Sequence, residues 1–121
     1  MKVKVMVVDD EADVRLLFEQ RFRREVRAGQ IVFYFALSAL EALEFLKTHE
    51  EDVLILSDIN MPGMNGLDLL QVVKKTHKHL KVFMITAYGD AEYQRQARDY
   101  GCDDYFTKPI DFALLKQKLL A

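Results

Sequence analysis

Short β-prone apolar runs alternate along the chain with longer stretches of helical period. The runs fall at Val3–Val8, Ile31–Phe35, Val53–Leu56 and Val82–Thr86, with a weaker fifth at Asp104–Thr107. Between them, Val14, Leu17, Phe18, Phe22 and Val26 form one apolar stripe. Ala39, Ala42, Leu43 and Leu46 recur at i, i+3, i+4 and i+7, as do Gly66, Leu69, Leu70 and Val73. A weaker stripe of Tyr93, Ala97 and Tyr100 predicts a helix over 91–100, and Phe112, Leu115 and Leu119 predict a short last helix.

The punctuation agrees with this division. Ser38 with Glu41 three residues on reads as a capping box. Asn65, Asp90 and Asp111 stand where N-caps belong, and Gly29 and Gly101 where helices stop. Five strand–helix units this closely spaced require crossover connections, which pair strands in parallel with right-handed crossovers. The near-continuous apolar runs Met6–Val8 and Val53–Leu56 predict strands covered on both faces. The expected fold is α/β: a doubly wound, open, five-stranded parallel sheet in a three-layer sandwich.

Composition narrows the class further. A chain of 121 residues is expected to form one domain, 1–121, that buries enough surface to fold without disulfides or structural metal. Seventeen basic against nineteen acidic residues leave a net charge of −2, too balanced for a surface that clamps nucleic acid. The single cysteine, Cys102, excludes an internal disulfide and suits a reducing compartment. With no apolar run near the length of a membrane span and no cleavage-site pattern after Met1, the expected location is cytoplasmic.

In an open parallel sheet, function gathers at the carboxyl ends of the strands. Here those ends carry Asp9, Asp10 and Glu11 after the first strand and Asp58 after the third. Thr86 with Ala87 ends the fourth, and Lys108 with Pro109 follows the fifth. The second strand ends in Phe35-Ala36-Leu37, with nothing reactive. Carboxylates crowded at one edge either hold a proton or share a cation. Oxygen-only ligands with room for water suit Mg²⁺ better than Ca²⁺. A lysine and a threonine hydroxyl beside them are the parts that hold a phosphoryl group, and a central carboxylate can attack phosphorus.

Four segments together resemble the receiver domain of bacterial two-component response regulators. They are Val7-Val8-Asp9-Asp10-Glu11, Ser57-Asp58-Ile59-Asn60-Met61-Pro62-Gly63-Met64-Asn65-Gly66, Ile85-Thr86-Ala87, and Gly101-Cys102-Asp103-Asp104-Tyr105-Phe106-Thr107-Lys108-Pro109. The resemblance implies a flavodoxin-like strand order of 2-1-3-4-5. It implies that Asp58 accepts phosphate from a sensor histidine kinase or phosphotransfer protein. Asp10, Asp58 and the backbone carbonyl of Asn60 would then bind Mg²⁺, with Asp9 alongside. Thr86, with Ala87 next to it, and Lys108 would hold the phosphoryl oxygens. A cis peptide would precede Pro109. Such a domain modifies itself and is not an enzyme on other substrates.

The resemblance also implies a switch. Thr86 moves toward the phosphoryl group, Tyr105 turns from exposed to inward, and the surface of the fourth predicted helix, fifth strand and fifth helix changes. A downstream effector domain, docking partner or second protomer reads that surface, so a monomer that dimerises on phosphorylation is one expectation. The polar, weakly patterned helix over 91–100 suits a movable element. Asn60 and Tyr88 flank the site where receivers tune phosphate loss, and Cys102 stands where they usually carry Ala.

Other readings fit less well. A haloacid-dehalogenase-type phosphatase needs a second acid two residues after its nucleophile, where this chain has Asn60. A flavin carrier needs a hydroxyl- and glycine-rich phosphate loop where this chain has Asp9-Asp10-Glu11. A receiver-like docking domain that works without phosphorylation is the remaining alternative, opposed by the intact Asp10, Asp58, Thr86 and Lys108. Arg15, Arg21, Arg23, Arg24 and Arg27 read as a solvated helix face paired with Glu19 and Glu25. His77 and His79 read as surface residues and Cys102 as a small buried side chain. The last helix, about three turns long, suits either a stand-alone receiver or a piece of a longer regulator.

Overall fold

A computed structural model describes residues 2–49, 52–87 and 90–121. The elements run β1 (Val3–Val8), α1 (Asp13–Arg21), α2 (Arg23–Arg27), β2 (Ile31–Ala36), α3 (Ala39–Thr48), β3 (Leu54–Asp58), α4 (Gly66–Thr76), β4 (Val82–Thr86), α5 (Ala91–Asp99), β5 (Asp104–Thr107) and α6 (Phe112–Leu120). The strands form one parallel sheet in the order β2-β1-β3-β4-β5.

Side chains alternate across each strand, so the sheet divides the core in two. Met6, Val8, Ile55 and Met84 face α3, α4 and α5, where Ala42, Leu46, Leu70, Val73 and Ala97 cover them. Val5, Val7, Leu56 and Phe83 face the opposite layer, where Phe18, Phe22, Leu115 and Leu119 cover them. Phe18 and Phe22 stack at 5.8 Å, and Phe33 and Phe112 pack edge-on against both. All of β4 and all but the first residue of β3 are buried, as strands covered on both faces must be.

The first helical stretch is corrected. The stripe through Val26 predicts one helix, but the helix breaks at Phe22, where φ is −108° and ψ is 19°. Phe22 is fully buried, whereas Leu17 and Val26 of the same stripe are exposed. Arginines on both sides keep the outer face in water. Of the expected pairs, Arg15 meets Glu19 at 3.8 Å, whereas Glu25 instead reaches Lys116 of α6 at 3.3 Å.

Smaller differences follow from local bonding. The second run extends to Ala36 and the third runs from Leu54 to Asp58, because ladder pairing carries both strands into the site edge. Ser38 accepts a bond from the Glu41 amide at 3.1 Å, which is half of the expected capping box. The full reciprocal box is at Asn65 and Asp68. Asp90 and Asp111 cap α5 and α6 through side-chain oxygens. Gly29 and Gly101 take the left-handed backbone that ends a helix, with φ of 73° and 87°. Tyr100 lies past the end of α5 and is exposed, so Ala97 is that helix's sole buried residue. Cys102 is half-buried rather than buried, and burial pushes its thiol pKa up. Among the described residues no helix is long and apolar enough to cross a membrane.

Candidate functional site

Parallel strands place their carboxyl ends on one edge, and the expected residues meet there. Asp9 follows β1, Asp58 ends β3, Thr86 ends β4, and Lys108 lies just beyond β5. Asp9, Asp58 and Thr86 are buried, while Asp10 is exposed. Carboxylate oxygens of Asp9, Asp10 and Asp58 all lie within 4.8 Å of one another. The Lys108 ammonium stands 3.5 Å from the Asp58 carboxylate and 3.9 Å from that of Asp9.

Burial and charge set the acidity of this cluster. Desolvation raises the Asp58 pKa to about 6; the negative Asp9 adds to the rise, and Lys108 opposes it. Burial likewise raises Asp9, against the bond it accepts from the Glu11 amide at 2.9 Å and against Lys108. One lysine therefore leaves the buried carboxylates short of positive charge. This oxygen-only donor set, with one exposed member open to water, fits a hard divalent cation such as Mg²⁺.

The switch residues are adjacent too. Among the described residues the buried Thr86 hydroxyl makes no hydrogen bond of normal geometry. The Tyr105 hydroxyl lies close enough for Thr86 to favour its ionised form weakly, while burial, the larger effect, raises its pKa. Tyr105 is half-buried and packs against the core, so it is not the exposed ring expected before phosphorylation. The Thr86 carbonyl also accepts the Lys108 amide at 2.8 Å, tying the ends of β4 and β5 together. Ala87 and Asn60 are exposed at the site edge, and the Lys108–Pro109 peptide is cis. Tyr88 lies outside the described residues. His77 caps α4, and His79 meets Asp52 at 3.7 Å; neither joins a group of metal-ligating side chains among the described residues.

Two contributions were not read from the sequence. Gly66 opens α4 directly against the end of β3. A Cβ there would collide with the Asp58 carbonyl oxygen and stand 2.8 Å from Ile59 Cα. The amide of Gly66 donates to Ile59 O at 2.9 Å, so this glycine lets the helix press against the strand that carries Asp58. Its place directly after an N-cap Asn was the available signal. Asp103 accepts both Lys74 Nζ at 2.7 Å and the Val82 amide at 2.8 Å, locking α4 to the start of β4. Only the tertiary structure brings those residues together.

A doubly wound sheet with an acid cluster, a hydroxyl and an amine at its carboxyl edge is the architecture of a phosphoacceptor signalling module. The family model for the response regulator receiver domain matches residues 5–120, and the chain belongs to that family. It is 32% identical over 111 residues to sporulation initiation phosphotransferase F of Bacillus subtilis, covering 92% of this chain and 86% of that protein. It is 42% identical over 107 residues to the DNA-binding transcriptional regulator NtrC of Escherichia coli, covering 88% of this chain but 22% of that protein. Among solved structures, the chemotaxis protein CheY4 of Vibrio cholerae superposes with a TM-score of 0.81 at 26% identity, covering 99% and 100% of the two chains. The receiver domain of NtrX from Brucella abortus does so at 0.80 and 30% identity, covering 96% and 97%. The chain is thus a receiver domain of two-component phosphorelay signalling.

Proposed function

We propose that Asp58 is the phosphoacceptor of this receiver and that Asp9, Asp10 and Asp58, with the Asn60 carbonyl, hold Mg²⁺. The observation that carries this reading is the buried Asp58 carboxylate, with its raised pKa, between two further acids and a lysine 3.5 Å away.

In the reaction, a carboxylate oxygen of Asp58 attacks phosphorus. The bond from phosphorus to the donor, a histidine nitrogen of a sensor kinase or phosphotransfer protein, breaks, and the nitrogen keeps the electron pair. The product is an acyl phosphate. Held by Asp9, Asp10, Asp58 and the Asn60 carbonyl, Mg²⁺ would offset the charge of the acids and of the phosphoryl oxygens. Lys108 turns from the two carboxylates to one phosphoryl oxygen. The Thr86 hydroxyl, which makes no hydrogen bond of normal geometry among the described residues, donates to another, and Ala87 is exposed at the same edge. Movement of Thr86 changes the space beside Tyr105 and so the surface of α5, β5 and α6, which an effector domain or docking partner reads. Asn60 at the rim leaves room for the water that later hydrolyses the acyl phosphate. The chain catalyses no reaction beyond its own phosphorylation and dephosphorylation. It acts in the cytoplasm, where its kinase donors present phosphohistidine.

The test is intact-mass measurement after incubation with acetyl phosphate and Mg²⁺. The wild type gains one phosphoryl group, and neither Asp58→Asn nor the wild type in excess chelator does. A folded wild type that gains nothing from acetyl phosphate or a phosphohistidine donor, and binds no beryllofluoride, is a docking domain that works without phosphorylation.

A further inference from the structure

We infer that Ser57 is a positioning residue for phosphorylation: its buried hydroxyl fixes the peptide plane between Asp58 and Ile59. It thereby sets the direction of the Asp58 carboxylate and of the backbone leading to the Asn60 carbonyl. This role depends on Asp58 being the phosphoacceptor. Ser57 stands in register with Val8 of β1 and Met84 of β4, both of which face the layer of α3, α4 and α5. It is fully buried, the polar member of an apolar row. Alanine would fill such a place without the cost of taking a hydroxyl out of water. The hydroxyl is used locally instead, donating to the Asp58 carbonyl at 2.9 Å. Outside the strand ladders, no other donor meets that carbonyl among the described residues.

This bond falls where the sheet stops holding the chain. β3 pairs with β1 as far as Ser57 and with β4 as far as Asp58. A peptide unit is rigid, so holding its oxygen also aims its N–H. The N–H of this plane, on Ile59, donates to Ile85 O at 3.0 Å. It also bonds the Asp58 carboxylate and favours its ionised form. The next plane is held by α4, where the Gly66 amide donates to Ile59 O at 2.9 Å. The Asp58 oxygen and Ile59 Cα occupy the space that a Gly66 Cβ would take. Ser57 and Gly66 thus hold two successive carbonyls between the Asp58 side chain and Asn60.

The hydroxyl acts on the reaction through this backbone. Contacts behind a metal ligand set its orientation, and attack on phosphorus needs a carboxylate aimed within narrow limits. A loosened plane therefore weakens Mg²⁺ binding and slows phosphoryl transfer together. A hydroxyl that merely satisfied itself in the core would alter neither.

The experiment compares the wild-type chain with two variants. Ser57→Ala removes the hydroxyl; Ser57→Cys keeps the size of the side chain but donates weakly. Amide resonances of the unphosphorylated chain report Mg²⁺ affinity and, without metal, hydrogen exchange. Intact mass reports the rate of phosphorylation by acetyl phosphate at saturating Mg²⁺. In both variants affinity and rate should fall by about three- to tenfold. Exchange at the Ile59 and Gly66 amides should quicken more than at Leu69 and Val73 within α4. Affinity and rate equal to wild type in Ser57→Ala overturn the proposal. So does a Ser57→Cys chain that matches wild type, since filling space is then the whole role. Exchange that quickens equally at all four amides also overturns it, because a general loss of stability explains that result. A wild type phosphorylated at a residue other than Asp58 overturns the phosphoacceptor reading, and with it the role in phosphorylation. The exchange comparison, made without metal or phosphate, then still decides whether Ser57 holds the plane.

Discussion

A carboxyl group that is 6% exposed beside another buried acid is held against its ordinary chemistry, and Asp58 shows the consequence most sharply. An acid whose pKa is higher folded than unfolded binds its proton more tightly when folded. Its contribution to stability is present in full below about pH 4 and is lost as the pH rises through about 6, the value burial imposes. Without divalent cation, stability should fall across that window, with Asp9 acting in the same direction. Asp58→Asn should be more stable than wild type at pH 7.5 by on the order of 2–3 kcal/mol, and nearly equal to it at pH 4. Urea titrations at the two pH values measure this; an equal difference at both would contradict the burial argument. Thr86 poses the converse case. Its buried hydroxyl makes no hydrogen bond of normal geometry among the described residues, so Thr86→Val should leave the unphosphorylated protein as stable or about 1 kcal/mol more stable, while shortening the life of the acyl phosphate. Thermal melts and phosphate-release rates separate the two effects. Asp9, Asp58, Thr86 and Lys108 were legible in the sequence because each follows or ends a recognisable strand. The half-buried position of Tyr105 was not legible, since it depends on tertiary packing rather than on any pattern.

At the scale of elements, caps and contact points decide how firmly the site is held. Asn65 and Asp68 satisfy each other's backbone amides at the start of α4, one residue before Gly66 meets the Asp58 strand. Asn65→Ala should cost about 1 kcal/mol without blocking phosphorylation. Gly66→Ala should cost about 1–3 kcal/mol by overpacking and also slow phosphorylation, because the added methyl pushes on the Asp58 backbone. Equal phosphorylation rates in both variants would show that Gly66 serves packing alone. α5 is the opposite case. It has one buried residue and a surface network from Glu92 through Arg95 to Asp99, where α4 buries Gly66, Leu67, Leu69, Leu70 and Val73. Its polar composition already announced a loosely held helix. The break at Phe22 was hidden because a stripe of correct period continues across it. Phe18 and Phe22, four residues apart, share one helix face, and i→i−4 bonds from the Phe22 and Val26 amides run on across the break, so neither spacing nor hydrophobic period marks it.

For the whole molecule, parallel pairing does most of the functional work. It gathers residues from four separate strand ends, up to about a hundred positions apart in sequence, at one edge. That architecture was readable from alternation of period alone, because short strands separated by single helices permit little else. Strand order followed from the family resemblance, and the sheet bears it out. The side-chain contacts across the layers, such as Lys74 with Asp103 and Glu25 with Lys116, carry no signature in the linear chain and emerged only from packing. The central claim concerns one bond on this scaffold, between phosphorus and a carboxylate oxygen of Asp58. Borohydride reduction of the phosphorylated chain, followed by peptide mass mapping, tests it directly. An aspartyl phosphate is reduced at its acyl carbon, so the account predicts homoserine at position 58 and unchanged aspartate at positions 9 and 10. Reduction at another aspartate, with position 58 intact, would contradict it.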